Sequence, residues 1–339
     1  MSATTPIATP TKPDDAELAN KVTLDSKYWP MLNLTNDATF VALRRKFYGE
    51  RGLALKDETS STLGEFAATD TQIAKLPVRL LHPLIGWEST GWMGCHDWSS
   101  TQWTKSLATL AQNGGWDIFQ SLGQSPLEAA HVVSAAHALG LPYLAKTESV
   151  RVIHGFKSWE EFYKQTTSKF KQRYKSTMKA AEKNGFTLDS DVSYDEIREL
   201  FYRRNLKMSD VDNAKNERYQ GFLQEWLAAL KEQGRMTSVG VRVGGKLIAM
   251  ALGFWREDVF FFHFTAYDPE YQQASPGSLA IYKLIEQTLN RGSTLYSFMG
   301  NFSYEKMYTP QTFDFQRVDV FPRTLKGRIL YTLLKMKRK

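Results

Sequence analysis

The sequence predicts an α+β fold, and its second half carries the observations that say so. Thr237–Val243 and Lys246–Trp255 are strand-like runs joined by Gly244-Gly245, the pattern of a β-hairpin with a tight turn. Glu257-Asp258 turns the chain into a third run, Val259–Tyr267, which completes an antiparallel meander. Helical patterns precede it at Tyr194–Lys207 and Asn216–Glu232, the latter stopped by Gly234. Another follows at Gly277–Asn290, stopped by Gly292 before a strand at Leu295–Met299. Helices flanking a run of sequence-adjacent strands make an α+β pattern, not a doubly wound one.

The first half gives helical stretches at Ala38–Gly49 and Gln102–Gln112, with apolar, tryptophan-rich segments between them (Leu76–Leu84, Gly86–Trp92). Gly114-Gly115 introduces a short strand, Trp116–Ser121, that ends at Gly123. Ser125-Pro126 opens a helix running to Leu139 and stopped by Gly140, and Tyr143–Ile153 reads as extended. Ser158-Trp159-Glu160-Glu161 is a capping box, in which the hydroxyl caps the Glu161 amide and the carboxylate reaches back. Trp159, Phe162, Thr166, Phe170, Tyr174 and Met178 then draw one buried stripe along a helix that stops at Asn184-Gly185. A strand follows at Phe186–Ser190. Helix, glycine, strand, glycine occurs at Thr109–Gly123 and again at Thr288–Gly300, an echo that hints at two copies of one unit.

At 339 residues the chain is long enough for two domains, and 42% hydrophobic with 23% charged residues describes a globular protein. The lone Cys95 excludes an intrachain disulfide framework and a multi-cysteine zinc site, which suits a reducing cytoplasm. No run approaches the roughly 20 apolar residues of a membrane span. Residues 1–25 have neither a basic nor an apolar signal region and read as a flexible polar lead.

The formal charge is +7, and the segment 322–339 carries Arg323, Lys326, Arg328, Lys335, Lys337, Arg338 and Lys339 with no acid. Leu325, Ile329, Leu330, Leu333 and Leu334 fall there at helical spacing, giving a basic amphipathic tail. It either packs on the body or meets an anionic membrane surface or nucleic acid. The helix after Lys157 has a second basic face, Lys169, Lys171, Arg173, Lys175, Lys179 and Lys183. That face is solvated or attracts an anionic ligand.

The segment richest in chemistry is Tyr267–Leu279, where a strand ends in a turn and small residues open a helix. The first amides of a helix lack internal acceptors and carry the positive end of its dipole, so small residues there let a diphosphate approach. A plain strand–turn–helix with Ser275 as cap satisfies the same residues.

Gln272-Gln273-Ala274-Ser275-Pro276-Gly277 resembles the acyl-coenzyme A signature of the GNAT N-acetyltransferase superfamily, Gln/Arg-x-x-Gly-x-Gly/Ala, in register. It departs at Ser275, where the superfamily has glycine. The Ser-Pro-Gly version is similar to the cellulose-biosynthesis-type branch, which is related to the Fem-type aminoacyl transferases. Ser168–Arg173 looks like that branch's basic helix, and Gly300 with Tyr304 and Lys306 looks like its closing strand–Gly…Tyr-Lys pattern, although Glu305 stands where the family often has lysine. The resemblance implies tandem GNAT-like lobes, each a mixed, mostly antiparallel sheet flanked by helices. The first is a degenerate lobe at 26–150 and the second an acyl-coenzyme A-binding domain at 151–320, with the basic tail at 321–339. It implies a diphosphate on the amides around Gln272, Gln273, Ala274, Ser275, Gly277 and Ser278. It also implies a pantetheine arm where Val259–Tyr267 and Leu295–Met299 splay apart, and an amine acceptor between the lobes.

Acyl transfer to an amine needs a proton acceptor, oxyanion stabilisation and a proton for the leaving thiolate. On strand alternation, Phe260, Phe262 and Phe264 share one face and Phe261, His263 and Thr265 the other. His263 is then the candidate base, or a histidine packed among aromatics. Asp268 orients the amine, takes its proton, or caps a turn. Tyr304 donates to the thiolate, as implied by the resemblance, or is a core tyrosine. The expected co-substrate is acyl-coenzyme A without a metal. The expected acceptor is a small-molecule or polysaccharide-precursor amine, and the expected location is the cytoplasm or the inner face of the membrane. Two alternatives stand: an aminoacyl-tRNA donor held by the basic faces, and a non-catalytic membrane- or cell-wall-associated binding module. No Walker motif, GxSxG elbow or HExxH pair is present, and the spacing of His82, His96 and Asp97 defines no metal site. Trp87, Trp92, Trp98 and Trp103 stack on a sugar or apolar acceptor or fill a core.

Overall fold

The computed structural model describes residues 21–23, 28, 32, 37–48, 53–56, 62–83, 98–205, 216–300 and 302–337. Within them a helix α1 (Ala38–Tyr48) precedes three strands, β1 (Leu53–Lys56), β2 (Thr62–Ile73) and β3 (Leu76–Pro83). Then come α2 (Ser100–Asn113), β4 (Ile118–Gln124), α3 (Pro126–Ala138) and β5 (Tyr143–His154). The second half runs α4 (Trp159–Gln165), α5 (Ser168–Lys183), β6 (Thr187–Asp189), α6 (Tyr194–Asn205) and α7 (Glu217–Glu232). It continues through β7 (Met236–Val243), β8 (Lys246–Arg256), β9 (Val259–Tyr267), α8 (Pro276–Asn290), β10 (Leu295–Ser297), β11 (Thr312–Val320) and α9 (Leu325–Lys337).

These strands form one eleven-stranded sheet in the order β1-β2-β3-β4-β11-β5-β10-β9-β8-β7-β6. All pairs are antiparallel except β3–β4 and β9–β10. The echo at Thr109–Gly123 and Thr288–Gly300 is therefore a topological one: a three-strand meander, a helix, and a strand parallel to the meander's third occur in each half. The fold is mixed, mostly antiparallel and flanked by helices, as the α+β reading expects. β5 is the seam, pairing with β11 along Tyr143–Arg151 and with β10 along Val152–His154.

The core lies on both faces of the sheet. On one face Trp226, Leu223 and Leu230 of α7 and Leu200 of α6 meet Phe254 and Phe261. On the other, α8 presses Leu279, Leu284 and Ile285 onto Phe260, Phe262 and Tyr296. Trp103 is fully buried with Leu107 and Phe119, and Trp98 packs on it with ring centroids 4.7 Å apart, so this pair fills a core. Trp87, Trp92, Cys95, His96, Asp97, the first twenty residues, Lys207, Arg338 and Lys339 lie outside the described residues.

The structure corrects the helix after Lys157, which is two helices. Thr166 is extended (φ −70°, ψ 161°) and the Thr167 side chain accepts the Phe170 amide, so a second cap restarts the helix. The aromatic stripe survives the break, because Phe162 and Phe170 still share one buried cluster. At Ser158 only half of the expected capping box forms: the hydroxyl accepts the Glu161 amide, but the Glu161 carboxylate reaches past Ser158 to the Lys157 amide at 2.8 Å. Strands β1, β2 and β11 carry no alternation that the sequence reading recognised.

Candidate active site

The site begins with an irregularity in β9. Leu252 pairs with Phe264 but Gly253 pairs with Phe262, so His263 is an extra residue, a β-bulge. Gly253 permits it, since a Cβ there would lie 2.1 Å from the Phe261 carbonyl oxygen. The bulge overturns the expected alternation. Phe260 and Phe262 face one core, but Phe264 joins Phe261 on the other. His263 is half-buried, its ring edge-on to Trp226 at 4.8 Å.

Beyond the bulge the sheet splits. β10 pairs with β9 only through Leu295–Val259, Tyr296–Phe260 and Ser297–Phe261. In the gap lies a cavity of about 800 Å³. His263, Phe264, Thr265 and Tyr267 of β9 line one side, Gln272, Ser275, Gly277 and Ser278 the rim, and Tyr304 and Tyr308 the other side.

The rim is built by Asp268. Its carboxylate accepts the Glu270 amide at 3.1 Å and starts a 3₁₀ turn, Pro269–Ala274, which ends at Ser275 in the left-handed region (φ 53°, ψ 44°). Pro276 then opens α8, and no side chain caps that helix. Its leading amides therefore face the cavity without a side-chain acceptor, with the positive end of the helix dipole behind them. Gly277 lies against Tyr267; a Cβ would stand 3.2 Å from the ring. The glycine thus lets the helix start pack against that ring.

The sequence-derived residues divide. Gln272, Ser275, Gly277, Ser278, His263 and Tyr304 come together around the cavity. Gln273, Ala274 and Asp268 are not among its lining residues. Asp268 is 4% exposed and pairs with Arg203 at 2.8 Å and Lys246 at 3.3 Å. Burial pushes its carboxyl up, but the Glu270 amide, Lys246 and Arg203 together hold it below the usual carboxylate range. Arg203 also donates to the Leu247 carbonyl, so Asp268 clamps the end of β9 to α6.

Burial shifts the titrating groups here in informative directions. The apolar surroundings of His263 pull its pKa down to about 3, so the imidazole is neutral at physiological pH. Tyr304 and Tyr308 are both raised, chiefly by desolvation, and stay protonated. Glu305 is fully buried, and desolvation lifts its pKa to about 7 against the pull of the Phe302 amide and Arg151. Its carboxylate accepts the Phe302 amide at 2.9 Å.

Sequence reasoning missed Arg204 and Tyr308, which line the cavity, because nothing in the α6 pattern separates Arg204 from Arg203. It flagged Glu305 only as a departure from a motif. The basic α5 packs against α8 through Phe170 and Tyr174, whose rings meet Tyr282 at 5.3 and 5.4 Å. Arg173 on that helix acts electrostatically on Tyr282 and Tyr308, so one cation of the basic face lies toward the cavity. Lys169, Lys175, Lys179 and Lys183 are solvated. Among the described residues no group of three or more His, Cys, Asp or Glu is placed to hold a metal ion.

Comparison with known proteins fits this geometry. Residues 168–307 match the family model described as an acetyltransferase (GNAT) domain. No curated protein sequence matches the chain. Among solved structures it is similar to FemX, at 12% identity over 92% of this chain and 98% of that one, with a TM-score of 0.55. It is also similar to the C-terminal domain of a putative lysylphosphatidylglycerol synthetase from Agrobacterium fabrum, at 12% identity over 90% and 93% of the two chains, TM-score 0.52. At such identities the likeness is one of fold. Residues 168–307 thus match a GNAT acetyltransferase domain, and the chain as a whole has a fold similar to that of FemX.

Proposed function

We propose that the protein transfers an acyl group from acyl-coenzyme A to an amine acceptor bound between its two GNAT-like halves, and that it belongs with the cellulose-biosynthesis-type branch. One observation carries the reading: α8 has no side-chain cap and opens onto a cavity where β9 and β10 part. The diphosphate of coenzyme A meets the amides near Gly277 and Ser278, with Gln272 and Ser275 at the rim. Its pantetheine arm runs along the unpaired edge of β9.

The chemistry then follows from the cavity walls. The amine nitrogen attacks the thioester carbonyl carbon, a C–N bond forms and the C–S bond breaks. Tyr304, kept protonated by burial, gives its hydroxyl proton to the leaving thiolate. Glu305, fully buried beside Tyr304 and poised near neutrality, restores the proton Tyr304 gave, and the proton the amine loses leaves to solvent. His263, with a pKa near 3, orients the amine as a hydrogen-bond acceptor and does not hold its proton. Asp268 fixes the strand end. The acceptor is a small-molecule or polysaccharide-precursor amine.

Coenzyme A should raise the melting temperature in a thermal-shift assay, and acetyl-coenzyme A should be consumed in the presence of amine acceptors. No stabilisation by coenzyme A would refute the donor. A second donor, aminoacyl-tRNA, is favoured by the solvated lysines of α5 together with the Fem-type fold. Steeply salt-dependent retention of tRNA, without a response to coenzyme A, would establish it instead.

A further inference from the structure

Helix α9 has two apolar faces. Leu330 is fully buried against Val78, Ile118 and Phe321, with Tyr331 and Leu334 packed beside it, and Gly327 lies close on the Pro322 carbonyl. Lys326 pairs with Asp117 at 2.7 Å, and the Arg323 guanidinium donates to the carbonyls of Leu139 and Gly140. These contacts dock the helix on the first half of the sheet, as one reading of the sequence expects.

The other apolar residues point away. Leu325 is 78% exposed, Ile329 43% and Met336 60%, and they recur at i, i+4 and i+11, with half-buried Leu333 at i+8. Of the seven exposed large hydrophobic residues among the described ones, three lie on this helix and the other four are scattered. Helical spacing sets Arg328 and Lys335 along one flank of the stripe and Lys337 along the other, all exposed. The helix carries no acid.

We propose that the outer stripe of α9 docks the protein on an anionic lipid surface. A docked soluble helix should turn its outer face to water; this one turns leucine, isoleucine and methionine outward, with two cations on one flank and one on the other. That arrangement matches the boundary between acyl chains and anionic headgroups, where the apolar stripe enters and the flanking cations meet phosphate. A protein partner would need acids matched to cations on both flanks, whereas an anionic bilayer supplies charge on either side without registration. The helix is too short to span a membrane, and among the described residues no helix is long and apolar enough to do so. The enzyme would lie on the bilayer.

The test is co-sedimentation of the full chain with phosphatidylglycerol-containing vesicles and with phosphatidylcholine vesicles. Wild type should partition at least tenfold better to the anionic vesicles. The triple variant Leu325→Asp/Ile329→Asp/Met336→Asp should lose at least tenfold in that partition while keeping its melting temperature, since all three side chains are exposed. Arg328→Glu/Lys335→Glu should lose binding in the same assay. Vesicle binding that survives the triple variant would overturn the proposal. So would absence of binding by wild type, or a self-association abolished by the triple variant without vesicle binding.

Discussion

The two halves of the sheet each present a serine at the start of the helix that follows the meander, and the two serines do opposite things. Ser99 is extended (φ −63°, ψ 160°), its hydroxyl accepts the Gln102 amide, and the Gln102 side chain answers the Ser99 amide. Ser275 is left-handed and caps nothing. One helix satisfies its own leading amides; the other leaves them over a cavity. The two helix starts thus differ in both backbone dihedrals of one serine, and that difference goes with a capped start in one half and an uncapped start over a cavity in the other.

The comparison can be broken at its foundations first. Asp268 anchors the turn that delivers Ser275. Asp268→Asn leaves Arg203 and Lys246 facing a neutral group and should cost about 3 kcal/mol of stability, read by denaturant midpoint. A loss below 1 kcal/mol would show that the clamp does not hold the turn.

Glu305 gives the next effect. Its pKa rises from 4.5 unfolded to about 7 folded, so the folded chain binds more protons between those values. Its contribution is fully present below about pH 4.5 and is lost as pH climbs through 7, a change of about 3 kcal/mol. Glu305→Gln should therefore gain on wild type as pH rises from 4 to 8. Parallel stability curves would remove the burial argument.

Tyr304→Phe should lower the acyl-transfer rate by about 10²-fold while leaving coenzyme A affinity unchanged. An equal loss in affinity would make Tyr304 a wall of the cavity and not a proton donor.

The smallest effects sharpen the pair of serines. Ser99→Ala should cost about 1 kcal/mol in stability with no effect on coenzyme A binding. Ser275→Gly should relieve the left-handed strain, up to about 1 kcal/mol, and preserve binding. Reversed outcomes would mean that the two helix starts have been misassigned.

These residues also show what sequence alone could reveal. The meander, α8 and the small-residue rim were legible because Gly244-Gly245, Pro276 and the apolar runs act locally. The departure of Ser275 from the motif is now physical: the backbone still adopts the conformation that glycine supplies freely. The bulge at His263 was not legible, because it depends on Gly253 meeting the Phe261 carbonyl across two strands. The break at Thr166–Thr167 was hidden by an aromatic stripe that continues across it. Arg203 and Arg204 are neighbours in sequence, yet one is tied to Asp268 and the other lines the cavity, a division only tertiary packing makes.

The most direct test follows the backbone amides of both helices by ¹⁵N-resolved NMR during titration with coenzyme A. Large shifts at Gly277 and Ser278, with Thr101 and Gln102 unmoved, are the predicted result. Unshifted Gly277 and Ser278 amides at saturating coenzyme A would contradict the account.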